Sequence, residues 1–244
     1  DLLNSQNIDV LVVTLTPNQM SDEGYRDSYV VAAQSIESAV KACRQPPGLI
    51  VWVSSTGVYG QNSGEWVNES TETNPVSFRG KRLLEAENII SSLPIASVIV
   101  RFSGIYGPGR NRLINQIKKG EPVPEQPVSW TNRIHSEDCA GIIVHLLERF
   151  SRSEHLYPCY IGTDNEPVPA YEMRRWLAAE IGIQFNNVNQ VQPGGESHSS
   201  SDASSATDNS GRQCSNQRLR DSGYEFLYPT YREGYRALLD GNDD

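Results

Sequence analysis

Two adjacent hydroxyls, Ser54 and Ser55, close the continuously apolar run Leu49-Ile50-Val51-Trp52-Val53, and no other pair in this chain is better placed for chemistry. A run of that composition reads as a strand covered on both faces, as in a parallel sheet. In a doubly wound α/β sheet the carboxyl ends of the strands face the ligand crevice, so both hydroxyls would point where a cofactor and a substrate meet. Downstream, Phe78 and Arg82 stand four residues apart on a segment with helical patterning. A phenyl ring cannot exchange a proton. Arg82 offers a cation able to hold ligand hydroxyls, but a guanidinium stays protonated and is a poor proton relay. Read without any ligand, Phe78, Leu83, Leu84 and Ala86 are the buried side of that helix, and Arg79, Lys81, Arg82, Glu85 and Glu87 its solvated face.

The wording of these segments carries a resemblance. LIVWVSSTGVYG, followed by PVSFRGKRLLEAE, resembles the SSxxVYG strand end and the PxSYxxxKLLxE helix of the extended short-chain dehydrogenases, the NAD-dependent epimerase/dehydratase group. The resemblance implies a catalytic role for Ser55, the hydroxyl that polarises the reacting oxygen, with Ser54 beside the cofactor. It also implies a tyrosine and a lysine that lowers its pKa, since a phenol titrating near pH 10 needs a neighbouring cation to act as a base near neutrality. Anchoring on Pro75-Val76-Ser77 and Leu83-Leu84 puts Phe78 in the tyrosine position and Arg82 in the lysine position, so the usual acid/base pair is missing. An alternative register on Lys81 puts Ser77 in the tyrosine position and shifts the flanking match by one residue.

Further segments extend the likeness over nearly the whole chain. Ile8 to Leu15 ends in Thr14-Leu15-Thr16-Pro17, like the strand whose tip passes under the cofactor, and reads as strand four of the family's sheet. Phe102 to Arg110, FSGIYGPGR, is similar to the RxxNxYGPG segment at the nicotinamide end, with Gly104 where asparagine is usual. The implied cofactor contacts are therefore Thr14, Leu15, Thr16, Ser54, Arg82 and Phe102. The stretch WTNRIHSEDCA resembles RxxxHVxDxA, and counting back from His135 places the phosphate-holding arginine on Thr131, with Arg133 in the aromatic position. Tyr59, Thr131, Arg133 and His135 are the implied substrate contacts, although His135 reads equally well as a packed histidine bonded to backbone. Asp138 reads as the cap of a helix beginning with Cys139.

The elements that must position these residues follow from periodicity. Val30, Ala33, Ile36, Val40 and Cys43 recur at helical spacing and predict an amphipathic helix over Asp22 to Cys43. Ala96 to Arg101 predicts a strand and Leu113 to Gly120 a short helix. Residues 192–211 are rich in serine, glycine and asparagine, and read as a disordered surface insertion. The expected fold class is α/β, a Rossmann-like doubly wound parallel sheet. Residues 1–110 would belong to the dinucleotide-binding domain, and residues 111–244 mainly to a small substrate-binding α/β lobe, with some segments returning to the sheet. No GxGxxG or GxxGxxG spacing occurs, so the phosphate-binding turn and strands one to three are expected ahead of Asp1.

Composition bounds the function. The chain has 244 residues and a net charge of −9 without a basic cluster, which argues against nucleic acid or an anionic membrane as partner. No apolar stretch is long enough to span a bilayer. The four cysteines lack CxxC spacing and fit thiols in a reducing compartment, and no metal site is expected. The expected setting is cytoplasmic. The resemblance implies NAD or NADP as cofactor, a small or nucleotide-sugar-like substrate, and a homodimer paired through the helices spanning Asp22 to Cys43 and Phe78 to Ser91. The activities left open are an oxidoreductase or epimerase/dehydratase, a non-catalytic dinucleotide-binding sensor or scaffold, and a remnant without ligand.

Overall fold

The computed structural model describes residues 8–185 and 210–241. Its centre is a parallel four-stranded sheet of β1 (Val10–Val13), β2 (Leu49–Ser55), β4 (Ala96–Phe102) and β8 (Cys159–Gly162), in the order β1-β2-β4-β8. Alternate residues of β2 serve opposite faces, which is why the strand is apolar without a break. Ile50 and Trp52 pack with Ala33, Val40, Leu83, Ala86 and Ile90, whereas Leu49 and Val51 pack with Ile142, Leu146 and Leu219.

The first of these faces is covered by two helices. Helix α1 opens at Asp22–Tyr25, capped by the Ser21 hydroxyl, passes through a π-helical segment Arg26–Val31 and continues as Ala32–Ala42. The hydrophobic period predicted the helix but not the wider turn, which brings Tyr29 and Val30 inward so that the Tyr29 hydroxyl donates to the Leu15 carbonyl at 3.1 Å. Helix α2 (Phe78–Ser91) is capped by Ser77, whose oxygen accepts from Gly80 N–H at 3.2 Å. Gly80 also lets this helix lie against the turn after β2, because a Cβ there would overlap the Gly57 carbonyl oxygen.

The opposite face is covered by α4 (Ser136–Ser151) and α6 (Gln217–Asp221). A further core gathers Leu113, Ile114 and Ile117 of α3 (Arg112–Lys118), Met173, Leu177 and Ala178 of α5 (Ala170–Glu180), and Tyr231 and Tyr235 of α7 (Tyr231–Asp240). Three two-stranded ribbons tie this part to the sheet. They are β3 (Ser63–Val67) with β10 (Gly211–Cys214), β5 (Gly104–Tyr106) with β7 (Arg133–His135), and β6 (Trp130–Thr131) with β9 (Val168–Pro169).

Three details differ from expectation. Ser210 precedes strand β10, Gly211 lies in it, and the rest of the predicted insertion, 192–209, lies outside the described residues. The short helix is Arg112–Lys118, because Gly120 adopts a positive φ of 68° that ends it. Helix α4 begins at Ser136, and its cap is His135, not Asp138. Asp138 is fully buried one turn inside and accepts from the Tyr224 hydroxyl and Leu227 N–H, both at 2.8 Å, and from Tyr228 N–H at 3.0 Å. A carboxylate here holds the segment leading into α7.

Candidate functional site

Parallel β1, β2 and β4 end on one side of the sheet, so Thr14-Leu15-Thr16, Ser54-Ser55 and Phe102-Ser103 leave it together. A cleft of about 370 Å³ opens there, lined by Ser55, Thr56, Gly57, Ser103, Gly104 and Arg133 among others. Ser55 is fixed by its own turn, since its Oγ accepts from Gly57 N–H at 3.1 Å. That bond uses a lone pair and leaves the hydroxyl proton for a ligand oxygen. Ser54 is buried, and its Oγ has no hydrogen-bond partner among the described residues. A buried hydroxyl without a partner is costly and is the kind of group a ligand satisfies.

The far wall is built from the β5–β7 ribbon. Ser103 Oγ donates to Thr163 Oγ1 at 3.0 Å, Thr163 Oγ1 donates to the Arg133 carbonyl at 3.2 Å, and Asp164 N–H donates to the same carbonyl at 2.7 Å. Arg133 and Thr131 line this cleft and also a second cavity of about 310 Å³ beyond it. Arg212 closes the near side, its guanidinium donating to the carbonyls of Thr56 at 2.7 Å and Tyr59 at 2.5 Å.

The structure thus brings Ser55, Thr131 and Arg133 to one cleft, with Ser54 beneath the same strand tip. Thr14, Leu15 and Thr16 stand at the neighbouring strand tip, and Arg82, Phe78, Phe102, Tyr59 and His135 are engaged within the fold. The Arg82 guanidinium is gripped by both Asp22 carboxylate oxygens, at 2.8 Å each, and by Glu85 at 2.8 Å, which clamps α2 to the start of α1. Phe78 rests edge-on against Tyr25, ring centroids 5.7 Å apart. Phe102 is buried against Gly162, where any Cβ would overlap its ring. Tyr59 is buried, its hydroxyl donating to the Asn68 carbonyl at 2.9 Å and accepting from Arg101 at 2.8 Å, and burial pushes its pKa up, the wrong direction for a base. His135 is buried with Nδ1 accepting from Glu137 N–H at 3.3 Å, and burial lowers its pKa. Ser103 and Arg212 went unnoticed in the sequence, as did Arg112 and Arg174 of the second cavity. The hydroxyl directly after β4 was a signal for Ser103, but nothing local marked the arginines.

A parallel sheet covered by helices on both faces, with a hydroxyl-lined cleft at the strand ends, is the Rossmann-like architecture of the NAD(P)-dependent epimerases and reductases. The chain belongs to the RmlD substrate binding domain family, matched over residues 16–240, within the extended short-chain dehydrogenase superfamily. It is similar to Protein YeeZ of Escherichia coli strain K12, 36% identical over 158 residues, a match covering 64% of this chain and 54% of that protein. The chain thus spans about half the length of this curated relative. Among solved structures, a Methylobacillus flagellatus protein provisionally described as an NAD-dependent epimerase/dehydratase is 37% identical with a TM-score of 0.75, over 97% of this chain and 77% of that one. The UDP-glucuronic acid 4-epimerase of Bacillus cereus, solved in complex with NAD, shares the fold at 19% identity and a TM-score of 0.72, over 96% of this chain and 74% of its own.

Among the described residues, no helix is long and apolar enough to cross a membrane, and no group of histidine, cysteine and carboxylate side chains could hold a metal. Burial pushes the thiols of Cys139, Cys159 and Cys214 up to about 12, so they are protonated at neutral pH.

Proposed function

We propose that the chain is the cleft-forming part of an NAD(P)-dependent oxidoreductase or epimerase/dehydratase that acts on a small molecule. The observation that carries this reading is the pair at the end of β2: Ser55, held by its turn with a proton to donate, and Ser54, buried with an unused hydroxyl. These groups fit the nicotinamide end of a dinucleotide, with Thr14, Leu15 and Thr16 at the neighbouring strand tip. The cofactor, when bound, would supply or accept a hydride. Ser55 would hydrogen-bond the substrate oxygen and hold it in place as its charge changes. The described residues contain no glycine-rich phosphate turn, nor the second-strand carboxylate that would choose between NAD and NADP.

The second reading is a dinucleotide-binding sensor or scaffold, favoured by Phe78. Its ring stands at the position of the catalytic tyrosine in the resembling family and is packed on Tyr25, so no phenol is presented there. One experiment tests both. Nicotinamide fluorescence is followed while the protein is titrated with NADH and NADPH, and turnover is compared between wild type and Ser55→Ala. Saturable binding with a turnover loss of about 10²–10³-fold in Ser55→Ala supports the enzyme. Binding without turnover in either form supports the sensor, and no binding of either cofactor by a form that carries the phosphate-binding turn ends both readings.

A further inference from the structure

Beyond Thr131 and Arg133 the cleft meets a cavity of about 310 Å³ whose wall carries three guanidiniums, those of Arg112, Arg133 and Arg174. Among the described residues none of the three has a carboxylate partner within ion-pair distance, whereas Arg82, Arg101 and Arg236 each hold one, at 2.8, 2.7 and 2.9 Å. That contrast is unexpected in a chain of net charge −9.

Arg174 is held by neutral groups. Arg174 donates to the Glu121 carbonyl at 3.2 Å and to Gln116 Oε1 at 3.1 Å. Arg133 is anchored through its own carbonyl, which accepts from Asp164 N–H at 2.7 Å, while its Nε is buried with no acceptor. Burial pulls Arg174 below the usual guanidinium range; the Glu121 charge, next in size, opposes this, and the smaller influences of Arg133 and Arg112 add to it. Like charges fixed this close repel, and an anion between them would turn that repulsion into attraction.

We propose that this cavity binds a compact anionic group of the substrate, a phosphate or carboxylate, gripped by Arg112, Arg133 and Arg174. The proposal rests on reading the adjoining Ser55 cleft as the reaction site, which it meets through Arg133 and Thr131. Size and lining set the class. The volume lies at the small end of ligand pockets, which run from about 300 to 1,000 Å³. Its apolar floor is Leu113, Val123 and Met173, with no aromatic ring among the described lining residues on which a nucleobase could stack. Thr131 occupies the position expected of a diphosphate-holding arginine. The arrangement suits a single small anion, not a nucleoside diphosphate.

Calorimetric titration of the full chain with sodium phosphate, sodium malonate and UMP, at matched ionic strength, tests the proposal. Phosphate or malonate should bind saturably and more tightly than UMP, and the tighter of the two identifies the anion. Arg112→Gln and Arg174→Gln should each weaken binding about tenfold, the loss of one charge-assisted contact. Arg152→Gln, which removes an exposed charge paired with Glu148 at 3.3 Å, should change nothing. Arg112 is exposed, so its variant keeps the test valid if Arg174→Gln folds poorly. Absence of saturable binding by both anions overturns the proposal. So does affinity indifferent to the arginine variants, or UMP binding tighter than either anion. An NADH titration of the same sample reports on the Ser55 cleft separately. Anion binding without NADH binding, in a form that carries the phosphate-binding turn, sinks the dinucleotide reading alone, and NADH binding without anion binding sinks the anion site alone.

Discussion

Gly104 and Arg133 face each other across the β5–β7 ribbon, and the missing side chain of one makes room for the guanidinium of the other. A Cβ on Gly104 would stand 2.9 Å from the Asn132 carbonyl oxygen, 3.1 Å from Arg133 Nη1 and 3.4 Å from its Cδ. Glycine at 104 leaves the room that the Arg133 side chain takes up.

Gly104→Asn should therefore displace Arg133 and strain the ribbon. Overpacking of this kind costs about 1–3 kcal/mol. Urea unfolding should show that loss, with Gly104→Ala intermediate, and calorimetry should show weaker phosphate or malonate binding. Unchanged stability and binding in Gly104→Asn would mean that Arg133 swings aside freely.

Arg101 and Glu87 form a buried pair at 2.7 Å beneath β4, with the Tyr59 hydroxyl accepting from the same guanidinium at 2.8 Å. Arg101→Met leaves the Glu87 carboxylate buried without its cation, a loss of about 3–5 kcal/mol. The double variant Arg101→Met with Glu87→Leu should recover much of it, because no unpaired charge remains. A double-mutant cycle by urea denaturation measures the difference.

Asp138 accepts two backbone N–H groups and the Tyr224 hydroxyl. In Asp138→Asn at least one of these donors must face an NH₂ group, so the segment before α7 loosens by about 1–3 kcal/mol. Hydrogen exchange at the Leu227 and Tyr228 amides should accelerate ahead of exchange in β2 and β4. Uniform acceleration everywhere would show that Asp138 acts on the whole fold instead.

Burial lowers the pKa of both His135 and His145, against the raising charges of Glu137 and Asp138 on the first and with the charge of Arg149 on the second. Below the unfolded value near 6.5 the unfolded chain takes up protons that these buried rings refuse. Their contribution is therefore full above about pH 6.5 and declines as pH falls through the lower folded values. Urea midpoints should drop between pH 7.5 and 5.5, and the drop should shrink in His135→Asn/His145→Asn. Comparing the two proteins cancels the carboxylates, including Asp164, which burial raises well above its usual range.

The sequence by itself determined the strands β1, β2 and β4, the helix Phe78–Ser91, the superfamily and the place of Ser55 at a strand end. Each of these rests on local pattern: alternate residues serving two covered faces, the helical period, and short motifs contiguous in the chain. Tertiary structure decided the partners. Arg82 reads in isolation as a ligand cation, yet Asp22, sixty residues away in the chain, takes it. Asp138 reads as a cap, yet its donors lie 86 to 90 residues downstream. The arginine cavity joins α3, β7 and α5, and of its three arginines only Arg133 stood out in the sequence. Pairing across such distances depends on how the chain returns to itself, and residue spacing along one sequence does not record it.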